Sequence, residues 1–414
     1  MQIVIFEDEG ALKFLPLVYL KPVYELRVGM RSLKEKFEAE LSESFPLSFH
    51  VRCYLGELYQ EQQGRPVNSI LDDDVLFLNG RVICDDGFAK KVISGKFQHG
   101  KAYFNGGQLV AFRTDARKLF GELPGVIDAR EISQKLPVEQ VDCSYVAFMW
   151  DLIRMHPDEF RREAMNCRDF GRIEGRISPA ATLVNEKHIY VAEGADVRAG
   201  VVIDAEEGFV YLGPAATVLP NAVLMDNVYV GSGSTVKIGA KIYSNVYIGS
   251  RSKVGGEVED SIIEPYANKQ HDGFLGHSYI SSWCNLGADT NNSDLKNNYG
   301  TVRMSMGGKE IDTKMQFLGL LMGEHSKSGI NSMFNTGTIV GLSSNVFGAG
   351  FPPKYVGSFE WGGADSGFER YRLDKALEVA RAVMARRRME LSPAYEAAFR
   401  HAYALETKPQ PVQV

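Results

Sequence analysis

The sequence predicts an α/β domain, then a parallel β-helix of hexapeptide repeats, then a C-terminal helical segment, and three observations lead there. Eight aliphatic residues stand six apart without a miss: Leu212, Val218, Leu224, Val230, Val236, Ile242, Ile248 and Val254. A triangular β-helix needs that period, because each face of a coil is about six residues long and turns one aliphatic side chain inward. Up to residue 150, strand and helix signals alternate, as they do in an α/β domain. Residues 371–404 carry helical periodicity after the repeat has ended, placed to cap the open end of the solenoid. The expected divisions are an α/β domain over 1–144, a helical arm over 145–184, the β-helix over 185–352 and a helical tail over 353–414.

The apolar run Ile3, Val4, Ile5 and Phe6 reads as a buried strand. Residues 32–41 (SLKEKFEAEL) read as an amphipathic helix, with Ser32 as N-cap and Glu35 as its capping-box partner. HVRCYL (50–55) and VLFLNGRVI (75–83) read as strands, the second broken by an Asn-Gly turn. From Tyr145 to Cys167 the pattern is helical, with Phe148, Leu152, Ile153 and Met155 on one stripe. The solenoid begins near Ile189–Val197, is interrupted around Asp204–Phe209, then runs regularly through Val254. Two positions before the aliphatic residues lie Ala216, Ala222, Val228, Ser234, Ala240, Val246 and Ser252, small or β-branched residues expected at the corners. Ile280 and Leu286 keep the spacing of six, 294–314 breaks it as an excursion loop, and 337–350 holds the last turns. The tail from Lys408 to Val414 is expected to be disordered.

A length of 414 residues suffices for two or three domains with their own cores. The net charge of −6 gives no reason to expect nucleic acid or a membrane surface as partner. Five scattered cysteines, an odd number without metal-ligand spacing, fit reduced thiols, and no apolar run is long enough to span a bilayer. The opening MQIVIFEDEG carries acids where a leader would carry bases, so a cytoplasmic protein is expected.

The stretch HDGFLGHSYISSWCNLGADT (271–290) resembles the C-terminal half of the bifunctional N-acetylglucosamine-1-phosphate uridyltransferase/glucosamine-1-phosphate acetyltransferase family. That family has a histidine, Tyr three residues on, Gly five on, and N-[FIL]-G-A-G-T beginning fourteen on. Here His271, Phe274, Gly276 and Asn285-Leu286-Gly287-Ala288-Asp289-Thr290 take those places, and GLLMGEHSKSGIN (319–331) resembles the next coil. The resemblance implies a left-handed β-helix assembled as a homotrimer, with acetyl-CoA as acyl donor. It implies His271 as general base, a role suited to an imidazole that titrates near neutrality. Lys241, Phe274, Asn285 and Asp294 would face the sugar, and Gly287, Ala288 and Gly323 the coenzyme. Three positions depart from the pattern: Glu259 stands for a lysine that meets the sugar phosphate, Phe274 for a tyrosine and Asp294 for an asparagine. The acceptor therefore differs from glucosamine 1-phosphate, or another cation serves.

FLPLVYLKPVYELRVG (14–29) is similar to the opening of sugar-1-phosphate nucleotidyltransferases, which run from a strand through a G-x-G-T-R loop to Lys-Pro. Lys21-Pro22 survives, but the loop reads EDEGALKF, and LNGRVI (78–83) puts Arg81 where active relatives have a magnesium-binding aspartate. The resemblance leaves Lys21 and Arg27 to meet phosphate and Asp86 as a substitute ligand, with Mg²⁺ required only if this domain is active. Two further readings stay open beside acyl transfer: nucleotidyl transfer from an NTP to a sugar 1-phosphate, and a non-catalytic sugar-nucleotide-binding scaffold. Zinc hydratases sharing the β-helix would use three histidines, for which His271, His277 and His325 are the candidates. The flanking residues match the acyltransferase coil better, so no metal-ligand set is assigned.

Overall fold

The computed structural model describes residues 1–64, 66–306 and 309–407, so the tail 408–414 lies outside the described residues. The chain divides into two compact units. Among the described residues, one comprises 1–27, 31–149 and 392–407, and the other 28–30 and 150–391.

The first unit is built on a six-stranded mixed sheet in the spatial order Leu47–Phe49, Gln2–Phe6, Asp74–Asn79, Gln108–Asp115, Lys101–Asn105, Val138–Gln140. Gln2–Phe6 pairs in parallel with both neighbours and is buried throughout, as its unbroken apolar run requires. Ser32 caps the helix Leu33–Leu41 through the expected reciprocal box with Glu35. Residues 50–55 are not the strand their pattern predicts. The Val51 N–H donates to Asn68 Oδ1 (2.8 Å) and the Arg52 N–H to Glu7 Oε2 (3.2 Å), so side chains take the donors a sheet ladder would have used. A 3-10 turn, Cys53–Leu55, follows instead. The last helix, Pro393–Thr407, belongs to this unit, where His401 stacks on Tyr54 at 4.3 Å.

The second unit opens with the helix Asp151–Met165, which buries Leu152, Ile153, Phe160 and Ala164, with His156 buried where the sequence stripe points to Met155. Parallel strands then wind around three faces. Face one runs from Thr182–Val184 to Phe274–Gly276, face two from Ile189–Val191 to Tyr355–Val356, and face three from Arg176–Ile177 to Asn268–Lys269 and on through Lys327–Ser328. The register explains the period of six: Val210, Val228 and Val246 are partners in successive coils, three hexapeptides apart. Later coils are shorter, since Ile248 pairs with Ile263 and Ile263 with Ile280, which is why the period fades after Val254. All eight periodic aliphatic residues are buried in one core, and the small residues two positions earlier turn inward beside them rather than only forming corners. The excursion leaves after Asn291–Asn292, carries an antiparallel pair (Arg303–Met306 with Lys309–Asp312) and returns at Leu320–Met322. The helix Leu373–Ala385 stays with this unit, and just beyond it Arg387 donates to Asn268 Oδ1 at 2.9 Å, on the flank of the coils.

Candidate functional site

In the first unit, the loop after Gln2–Phe6 holds two buried ion pairs. Arg52 clasps Glu7 through Nε and Nη2 (3.1 and 3.2 Å), and Arg81 clasps Asp8 through Nε and Nη2 (3.1 and 2.7 Å). Arg81 and Asp8 side chains are 1% and 3% exposed, so this guanidinium is committed to a carboxylate. A Cβ on Gly10 would fall 2.0 Å from Arg81 Nη2, so the loop's glycine makes room for that arginine. Of the residues expected at phosphate, Arg27 is held by Glu35 (Nη1 to Oε2, 2.8 Å) and Lys21 is buried, its carbonyl accepting from Arg52. Asp86 is exposed in the first turn of the helix Asp86–Ile93.

On the β-helix, His271 lies exposed at the corner between faces three and one. Its carbonyl accepts from Lys269 Nζ at 2.6 Å. Ala288 belongs to the same corner one coil further on, where the Asp289 N–H donates to the Asp272 carbonyl (3.0 Å). Lys269 was not singled out from the sequence. It follows Val236 and Val254 in the inward column of face three, so an ammonium stands where the column supplies an aliphatic group. Burial pulls that amine down to about 8, against smaller opposing effects of Asp272 and Asp289. A buried lysine breaking an apolar column beside the predicted base is the kind of local conflict that accompanies function.

The other predicted residues divide. Phe274 and Lys241 lie along face one, where Lys241 is exposed and 3.6 Å from Glu257. Asn285 bridges Asn268 and Lys327 on face three. Asp294 lies at the opposite end of face one from His271, where it accepts from His277 Nδ1 (2.8 Å), so it is not gathered with the predicted base. Gly287 and Gly323 are required by coil stacking, since a Cβ would come within 2.3 Å of the Gly329 carbonyl and 2.9 Å of the Leu342 nitrogen respectively. Gly323 lies at the third corner, together with His325. His325 is fully buried, pushed down to about 3 by burial and by Lys327, and lies parallel to Trp283. The three histidines weighed as zinc ligands thus occupy three different corners of one chain.

Asn285 opens onto a cleft of about 390 Å³ between face three and the end of the helix Leu373–Ala385 with the residues that follow it. Lys253, Lys327, Arg386 and Arg387 line it, with no Asp or Glu among the described lining residues. Tyr266 and Trp283, stacked at 4.3 Å and 7°, form part of its wall, and Asn268 and Gln270 add polar groups. Burial, then Arg387, Lys237 and Arg386, hold the Lys253 ammonium below its ordinary range, and burial, then Arg386 and Arg251, do the same to Arg387. Crowded cations without counter-charges favour a bound polyanion. Sequence reading missed this cleft because its cations are spread over more than 130 residues.

Residues 3–169 match the sugar nucleotidyl transferase family. The chain is similar to bifunctional proteins of that type. It is 27% identical over 113 residues to the bifunctional sugar-1-phosphate nucleotidylyltransferase/acetyltransferase of Sulfurisphaera tokodaii, covering 27% of this chain and 28% of that one. It is 28% identical over 129 residues to the bifunctional protein GlmU of Methanocaldococcus jannaschii, covering 31% and 26%. The matched segments thus span little more than a quarter of those relatives. Among solved structures, the polySia-specific acetyltransferase NeuO aligns with TM-score 0.26 and 17% identity over 47% of this chain and 87% of that one. The Francisella novicida UDP-N-acetylglucosamine acyltransferase aligns with TM-score 0.23 and 14% identity over 57% and 79%. No helix among the described residues is long and apolar enough to cross a membrane.

Proposed function

We propose that this chain acts in sugar-nucleotide biosynthesis by acyl transfer on the β-helix, from acetyl-CoA to an amino-sugar phosphate or nucleotide sugar. The observation that carries this reading is the cleft lined by Lys253, Lys327, Arg386 and Arg387 with Asn285 on its wall, which suits the phosphates that the coenzyme or a phosphorylated acceptor brings. The amine nitrogen bonds to the thioester carbonyl carbon while His271 takes its proton; the oxyanion then collapses, the C–S bond breaks, and His271 returns the proton to the leaving sulfur, giving the amide and the coenzyme A thiol. Lys269, holding the His271 carbonyl, fixes the corner that carries the base. Phe274 and Lys241 line the acceptor side, and Gly287 and Ala288 supply backbone to the donor. The working form is a homotrimer, with neighbouring helices closing the site.

The match of residues 3–169 favours a second reading, nucleotidyl transfer from an NTP with Mg²⁺ in the first unit. The buried Asp8–Arg81 and Glu7–Arg52 pairs fill the loop where the resemblance expects a glycine-rich phosphate cradle, which supports a domain that keeps the fold without an open phosphate site. Thermal unfolding with added ligand separates these readings, because a ligand that binds the native state alone raises its stability. Coenzyme A alone is expected to raise the midpoint. A rise with NTP and Mg²⁺ but none with coenzyme A transfers the activity to the first unit, and a rise with a finished nucleotide sugar alone supports the scaffold.

A further inference from the structure

We propose that Glu259, His277 and Asp294 form a binding site for one first-row divalent cation such as Mn²⁺ or Zn²⁺, at the end of face one remote from His271. The three residues come from successive levels of the solenoid. Glu259 closes the strand Glu257–Glu259, whose register sets it beside Gly276, His277 follows directly, and Asp294 follows Asn291–Asn292. One donor atom from each lies within 4.8 Å of the others, and His277 Nδ1 is 2.8 Å from Asp294 Oδ2. Two ligands about 2.1 Å from an ion lie about 3 Å apart at an octahedral right angle and about 3.4 Å apart at the tetrahedral angle of zinc, so a cation replaces the proton between these two atoms as they part by a few tenths of an ångström.

Charge argues the same way. Asp260 adds a third carboxylate, its Oδ2 3.8 Å from His277 Nε2 and its Oδ1 accepting from Asn245. One imidazole therefore faces three carboxylates, and among the described residues no Lys or Arg pairs with any of them. An ordinary His–Asp pair needs one carboxylate. Two or three around a single imidazole are a mixed nitrogen and oxygen donor set suited to such ions.

The surroundings are built to hold these groups. A Cβ on Gly276 would fall 2.4 Å from Asp294 Oδ2, so only glycine leaves room for that carboxylate. Asn292 fixes the Gly276 backbone from both sides, accepting its N–H and donating to its carbonyl (each 3.0 Å). The excursion starts and returns here: the Leu318 N–H donates to the Asp294 carbonyl (2.8 Å), the Gly319 N–H to the His277 carbonyl (2.9 Å), and Phe317 stacks on the imidazole at 5.1 Å. The ring is thereby oriented and screened from solvent, as second-shell groups orient metal-binding histidines.

The test uses the full chain, stripped with a chelator and dialysed, then titrated with Mn²⁺ by electron paramagnetic resonance and with Zn²⁺ by calorimetry. One ion per chain is expected, with at least tenfold weaker binding in Glu259→Gln and in Asp294→Asn, and none of that loss in Glu193→Gln, an exposed carboxylate near the start of the solenoid. Unfolding curves of the variants establish that they are folded, and the wild-type titration decides independently of them. A free Mn²⁺ signal undiminished by protein, together with no saturable Zn²⁺ binding at millimolar ion, overturns the proposal. Binding unchanged in both variants also overturns it, as does stabilisation of the stripped protein by an amino sugar with none by either ion, which would assign the cluster to an ammonium group.

Discussion

Replacing Lys269 with methionine should stabilise the β-helix and weaken its chemistry. The side chain is 2% exposed and stands in a column of valines, yet it carries an ammonium that burial brings from 10.5 to about 8. Keeping that group charged at pH 7 costs about 3 kcal/mol relative to the unfolded chain. Methionine fills a similar volume without the charge, and losing the hydrogen bond to the His271 carbonyl gives back about 1 kcal/mol. The expected net gain is about 2 kcal/mol at pH 7. Because the folded amine loses its proton at lower pH than the unfolded one, the wild type gains stability between about pH 8 and 10.5, and the advantage of Lys269→Met shrinks over that window. Guanidinium unfolding followed by tryptophan emission reads this unit selectively, since Trp150, Trp283 and Trp361 all lie in it. A variant less stable than wild type at pH 7, or an advantage independent of pH, would refute the reasoning.

Three other outcomes follow from the same geometry. Asp8→Asn leaves Arg81 buried without its counter-charge and should cost about 3–5 kcal/mol in denaturant unfolding, whereas the double change with Arg81→Met should recover most of that, and a loss below about 1 kcal/mol for the single change contradicts the buried-pair account. The His277 ring is pulled down by burial but raised more by its hydrogen bond to Asp294 and by the charge of Asp260, so its NMR titration midpoint in chelated protein should lie above 6.5, and Asp294→Asn should lower it. Its stabilising effect is complete below the unfolded value and fades as pH rises through the folded one. Arg387→Ala should weaken coenzyme A binding about tenfold and flatten its dependence on salt in calorimetric titrations, whereas unchanged affinity removes the cleft from the donor site.

The repeat was legible because stacking constrains one inward residue per face, and the sequence writes that constraint as spacing. Where a coil shortens, as from Ile248 to Ile263, the spacing fades though the core continues. The His277–Asp294 contact is also a product of coil length: the residues are 17 apart, a signal that becomes readable once the shortened coils are counted. Nothing local marks the Arg81–Asp8 pair, whose partners are 73 residues apart, or the cleft, whose cations the solenoid and its trailing helix bring together. HVRCYL failed as a strand because its alternation is real but its backbone donors meet the side chains of Glu7 and Asn68.

The most direct test of the central claim is release of coenzyme A thiol from acetyl-CoA with glucosamine 1-phosphate and a panel of other amino sugars and nucleotide sugars, run beside His271→Ala. The account predicts release that requires both an acceptor and His271. No release with any acceptor from a folded, trimeric protein, or equal release from His271→Ala, would contradict it.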